Sequence, residues 1–152
     1  MERRGLFDLQ TPRDLLSKAQ HDLNRLRADP LDSYAAFDFF VAIRHLPDWL
    51  HPTDESRRKA LFAKHVELRI ARHIADGSKH FEATHAQNMQ VAGTSAEPGG
   101  FQAGTFQAGA FQVGGLIVEL DSRDADTATL GKRIGALELA ERVFQVAQSV
   151  VV

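Results

Sequence analysis

The chain contains no cysteine. Disulfides, thiolate metal sites and cysteine nucleophiles are therefore excluded, and a reducing compartment is tolerated. No apolar run approaches the ~20 residues needed to cross a bilayer. The opening Met-Glu-Arg-Arg-Gly leads into charged sequence and not into an apolar leader. These absences predict a cytoplasmic protein with no membrane partner. Charge of one sign is also lacking, since 18 Lys and Arg stand against 20 Asp and Glu. Any nucleic acid would have to be held by a local patch, not by a global field. There is no Gly-x-Gly-x-x-Gly after a strand, no phosphate loop ending in Gly-Lys-Ser/Thr and no Gly-x-Ser-x-Gly elbow. No cofactor is expected.

What is present reads as helix. Its 152 residues suit one domain with its own core. Thr11-Pro12 looks like an N-cap followed by proline at the first helical position, and Leu15, Leu16, Ala19, Leu23 and Leu26 recur at helical spacing. A second start at Asp32-Ser33 leads into Tyr34 to Leu50, apolar on most sides, which predicts the central helix, with Pro47 kinking or loosening its last turn. Thr53 or Asp54 would cap a third helix running to about His80, unless Gly77 ends it early. A fourth is expected from roughly Ile134 to Val150. Short connections predict a mainly α fold: an antiparallel four-helix up-down bundle in a single domain over 1–152.

The stretch 92–121 between helices three and four differs in kind. It repeats Phe101-Gln-Ala-Gly, Phe106-Gln-Ala-Gly and Phe111-Gln-Val-Gly with a period of five. A flat strand alternates with period two, so this spacing fits short extended pieces broken by turns. Three units are too few for a self-supporting coil. The expectation is a short β-ribbon or ordered loop capping the bundle, with Leu116 to Leu120 the clearest strand. The segment is also a candidate surface for adding strands to a partner's sheet.

Chemistry concentrates in two rows. Arg69, His73, Asp76 and His80 follow one another at steps of four, three and four, so at ~3.6 residues per turn they share a helix face. They border the apolar stripe Phe62, Val66, Ile70 and Ile74, where ionisable groups need partners. Asp38, His45 and Asp48 form a second row on helix two, and antiparallel neighbours would let the two rows share one groove. Such a groove offers a hydrogen-bonded network in which aspartate orients histidine and arginine neutralises aspartate. It also offers a divalent metal site, although His45-x-x-Asp48 reverses the usual Glu-x-x-His order, and no metal is assigned. The third option is metal-independent acid–base work, with histidine moving a 2′-hydroxyl proton and arginine or lysine steadying phosphate charge. On that option the catalytic candidates are His80, His45, Arg69 and Asp76, with His80 as the preferred acid–base group. Asp48, His73 and Lys79 would support them.

Two phrases carry a resemblance. Tyr34-Ala-Ala-Phe-Asp-Phe-Phe-Val with His45, Asp48-Trp49 and His51-Pro52 is one, and Leu68 through Ile-Ala-Asp-Gly-Ser-Lys-His-Phe81 is the other. Together they resemble uncharacterised bacterial helical proteins similar to the HEPN class of small bundles. That class includes RNA-cleaving toxins and phage-defence effectors, commonly dimeric, as well as non-catalytic binding modules. The resemblance implies a homo-oligomer that binds or cleaves RNA. Catalytic members carry arginine, four to six intervening residues, then histidine. Arg44 to His51 and Arg58 to His65 match that spacing, while Arg69 to His73 and Arg72 to His80 fall outside it. The alternative reading is a non-enzymatic assembly protein that oligomerises through the Phe-Gln repeat.

Overall fold

A computed structural model describes residues 5–80, 85–98, 100–101, 111–112 and 114–151. Within them the chain is mainly helical, with a small three-stranded antiparallel sheet. Helix α1 (Pro12–Ala28) opens on a reciprocal cap. Asp14 N–H donates to Thr11 Oγ1 at 3.1 Å, and Thr11 N–H donates to Asp14 Oδ2 at 2.8 Å. Helix α2 (Ser33–Leu50) starts where Asp32 Oδ1 accepts from Ala35 N–H at 3.0 Å. It continues through Pro47 to Leu50.

The expected third helix is two helices. Helix α3 (Glu55–Lys64) ends at His65, and α4 (Val66–His80) begins immediately after it. No proline or glycine marks the break. Four residues on, Arg69 Nη1 donates to the carbonyls of Phe62 at 2.7 Å and Ala63 at 3.1 Å. The guanidinium thus satisfies carbonyls that a helix end leaves orphaned. Helix α3 buries no residue fully and rests on the core through the partly buried Leu61 and Phe62. Gly77 does not end α4, which runs on to His80.

The insertion is a ribbon. Strands β1 (Val91–Glu97) and β4 (Gly115–Leu120) pair antiparallel, and their line is continued by β2 (Gly100–Phe101) with β3 (Phe111–Gln112). Phe101 and Phe111 of the repeat are register partners, whereas 102–110, including Phe106, lie outside the described residues. After a 3-10 turn (Ala125–Leu130), β5 (Arg133–Gly135) joins β4 and gives the order β1-β4-β5. Ile134 therefore belongs to a strand, and α5 (Ala136–Val150) starts two residues later than its apolar pattern suggested.

Helix α2 packs against α1, α4 and α5. Its Phe39, Phe40, Ile43 and Leu46 sit in the core with Leu23 and Leu26 of α1, Ile70 of α4, and Leu139 and Val143 of α5. Burying one such side chain stabilises the fold by about 1.5–3 kcal/mol. The sheet lends this core the buried Val118 and Ile134, with Val91, Leu116 and Leu120 partly buried against it. Polar contacts add to this apolar attachment of the ribbon. No helix among the described residues is long and apolar enough to cross a membrane.

Candidate functional site

The α4 row meets a polar wall, supplied by the two segments that flank the ribbon and by one arginine of α2. Arg69 donates from Nε to Asp124 Oδ2 at 2.8 Å and from Nη2 to Asp124 Oδ1 at 3.2 Å, a two-pronged pair. Its Nη2 also reaches Asp126 Oδ2 at 2.6 Å. With the two α3 carbonyls already described, all five guanidinium N–H groups are engaged. The side chains of Arg69 and Asp124 are 12% and 9% exposed, so the pair is largely sheltered from water. The hydrogen bond from Arg69 holds the Asp124 carboxyl below its ordinary range, against the opposing effect of burial. Gln90, 1% exposed, completes the contact by donating from Nε2 to Asp124 Oδ2 at 3.0 Å.

His73, one turn further on, accepts at Nδ1 from the backbone N–H of Gln90 at 3.2 Å and of Val91 at 3.0 Å. An imidazole nitrogen that accepts is unprotonated, so the neutral ring carries its hydrogen on Nε2. Burial pushes the His73 pKa below its ordinary value, with the Arg123 charge adding to that effect. Asp76 takes Arg44 Nε at 3.2 Å, Asn88 Nδ2 at 3.1 Å and Gln87 Nε2 at 3.4 Å. Burial would raise its pKa, but the hydrogen bonds from Asn88 and Arg44 outweigh burial and leave the carboxyl low.

Three members of the row, Arg69, His73 and Asp76, thus clasp residues 87–91 and 124–126 onto α4. The fourth is His80, whose backbone closes α4. Its side chain, like that of Lys79, lies outside the described residues.

The α2 row does not join this clasp. Asp38 pairs with Arg25 of α1 at 2.8 Å, and Arg25 also holds the buried Asp22 at 3.1 Å. His45 is exposed. Asp48 lies 3.6 Å from Arg58 of α3. Among the described residues, the α2 side chain that hydrogen-bonds the α4 row is Arg44, one position before His45. Among the described residues no hydrogen bond or ion pair joins the two rows. Among the described residues, no group of three or more His, Cys, Asp or Glu is placed to hold a metal ion.

Several participants were not foreseen from sequence: Arg44, Asn88, Gln90 and Asp124. Asp124 does carry a local signal, because it caps the 3-10 turn by accepting from Asp126 N–H at 3.1 Å. Nothing local signals its pairing with an arginine 55 residues earlier. Arg72 and Phe62 make a further unit. The Arg72 guanidinium lies over the Phe62 ring at 4.3 Å from the centroid, and Arg44 lies at 5.6 Å from the same ring. Arg72 Nε is buried with no hydrogen-bond partner among the described residues. Burial draws the Arg72 pKa downward, and the neighbouring Arg44 charge draws it further.

Comparison of the chain with protein-family models, curated proteins and solved structures finds no match.

Proposed function

We propose that the protein is a non-enzymatic interaction and assembly module, in which the helical body holds out a β-ribbon that joins copies together. The observation that carries this reading is the clasp itself. Arg69 has no free donor, His73 spends its only acceptor on two backbone amides, and Asp76 is occupied by three donors. An acid–base centre needs groups free to exchange protons with a substrate, and these side chains are committed to holding the ribbon. The Phe-Gln repeat falls at the ribbon's far end in sequence, the position suited to contact with a second copy. Sedimentation velocity tests the reading. The native chain should run as an oligomer, and replacing Phe101, Phe106 and Phe111 together by serine should weaken it. A native chain that is monomeric at every concentration would refute it.

A second reading, RNA binding in a toxin or defence setting, is favoured by one feature. Arg72 and Arg44 lie against Phe62, and among the described residues Asp76 is the one carboxylate paired with either of them. Arginine laid on an aromatic ring with donors to spare suits phosphate or a stacked base. Fluorescence anisotropy with single-stranded RNA would show binding that falls with salt and weakens in Arg72→Ala. A cleavage assay comparing native protein with His80→Ala decides whether catalysis accompanies it. Equal RNA turnover in both removes His80 as the acid–base group.

A further inference from the structure

The two edges of the sheet are treated differently. β5 is three residues long and carries Arg133, which is paired with Glu97 and lies 3.4 Å from Glu119. Short, charged edges resist pairing with another chain. β1 is seven residues long, Val-Ala-Gly-Thr-Ser-Ala-Glu, with no lysine, arginine or proline. An irregularity between Val91 and Gly93 disturbs its start, and beyond it Thr94, Ser95, Ala96 and Glu97 are all exposed.

The direction of the β1 backbone groups follows from β4. Leu116 and Leu120 turn their N–H groups away from β1, to the carbonyls of Pro30 and Lys132, and Val118 pairs with Ile134. Hydrogen bonding alternates along an antiparallel strand, so Gly115, Ile117 and Glu119 serve β1. Their partners there are Glu97, Ser95 and Gly93. Thr94 and Ala96 consequently aim their N–H and C=O at the free edge. Among the described residues no backbone group bonds to them from that side. At the other end of the strand, His73 has already taken Val91 N–H, so the open edge begins after the clasp. A cleft of about 380 Å³ between α4 and the first residues of β1, lined by Ile74, Gly77, Ala92 and Gly93 among others, leaves room beside the strand.

We infer that this edge is a strand-pairing interface between two copies of the chain, antiparallel about a twofold axis through Thr94. The inference rests on the assembly reading above and adds the β1 edge to the contact it makes through the Phe-Gln repeat. Two features select a second copy over a foreign peptide. Ala92, Gly93, Thr94, Ser95 and Ala96 are small, so their own side chains give a foreign peptide little to grip, whereas peptide-reading edges rely on side-chain contacts for specificity. The strand is also complementary to itself. With Thr94 opposite its own copy, Ala96 meets Ala92 and Glu97 meets Val91, so the carboxylates stay apart. A register centred on Ala96 would oppose Thr94 to Pro98, which has no N–H to give. The interface is isologous and closes as a dimer.

Sedimentation velocity of Thr94→Lys, with circular dichroism to confirm the native helical signal, provides the test. The substitution sets like charges opposite each other at the axis, and the dimer dissociation constant should rise by about tenfold or more. Mixing Thr94→Lys with Thr94→Glu should restore a dimer containing one of each. If Thr94→Lys fails to fold, the double change Ala92→Lys with Ala96→Lys sets like charges opposite each other in its place, mixed with the double change Ala92→Glu with Ala96→Glu. A native dimer that survives these changes, or a mixture that stays monomeric, overturns the edge proposal and leaves the assembly reading intact. A native chain that never dimerises overturns both.

Discussion

Two rows of ionisable residues were written into this chain with the same helical arithmetic, and only one became a unit. On α4, Arg69, His73 and Asp76 face segments rich in complementary groups, and each is engaged by them. On α2, Asp38 is drawn to α1, Asp48 to α3, and His45 is left to solvent. Periodicity decides which side chains share a face. What a face then does depends on the elements brought against it, and here the ribbon's two flanks provide that opposing wall for α4 alone.

Breaking the largest contact should separate the two rows most clearly. Arg69→Ala leaves Asp124 sheltered without its cation, and two carbonyls of α3 lose their donor. The expected cost is about 3 kcal/mol, read by urea unfolding. Replacing both partners at once, with Arg69→Met and Asp124→Leu, should cost less than the two single losses added together. His73→Ala leaves the Gln90 and Val91 amides without an acceptor, for about 1–2 kcal/mol. Hydrogen exchange at those two amides should quicken while core amides of α2 are spared.

Acid sharpens the same contrast. His73 has its pKa lowered in the folded state, so the unfolded chain binds the proton more readily. Stability should begin to fall as pH drops below the ordinary value of 6.5, and that loss saturates once pH passes the folded value. Asp124 and Asp76 are also lowered, so their contribution is present above the ordinary value of 3.8 and disappears as pH falls through their folded values. In His73→Gln the first decline should flatten and the second remain, as measured by thermal unfolding against pH. Changes in the α2 row should matter least. His45→Ala and Asp48→Asn, both at exposed positions, should each shift stability by about 0.5 kcal/mol or less.

Much of the scaffold was legible because its signals are local. Thr11-Pro12, Asp32 and Asp54 announce helix starts through side chains that reach three residues ahead. The buried phenylalanines of α2 announce the central helix, and Leu116 to Leu120 announces a strand. The break at His65 was illegible because no proline or glycine marks it, and the Arg69 side chain that caps the freed carbonyls lies in the next helix. Ile134 continued the apolar pattern of α5, but pairing with Val118 claimed it for the sheet. The site divides along the same line. That Arg69, His73 and Asp76 share a face follows from spacing alone. That they meet Asp124, the Gln90 and Val91 amides and Asn88 depends on how the insertion folds back, and no short-range rule encodes that return.

The clasp is tested most directly at the His73 ring, by nitrogen-resolved NMR followed through a pH titration. The account predicts a neutral ring protonated on Nε2, with Nδ1 accepting, that takes up its second proton only below pH 6.5. A ring with mixed tautomers that titrates as an exposed histidine does would contradict it, and would return His73 and its neighbours to the pool of groups free for chemistry.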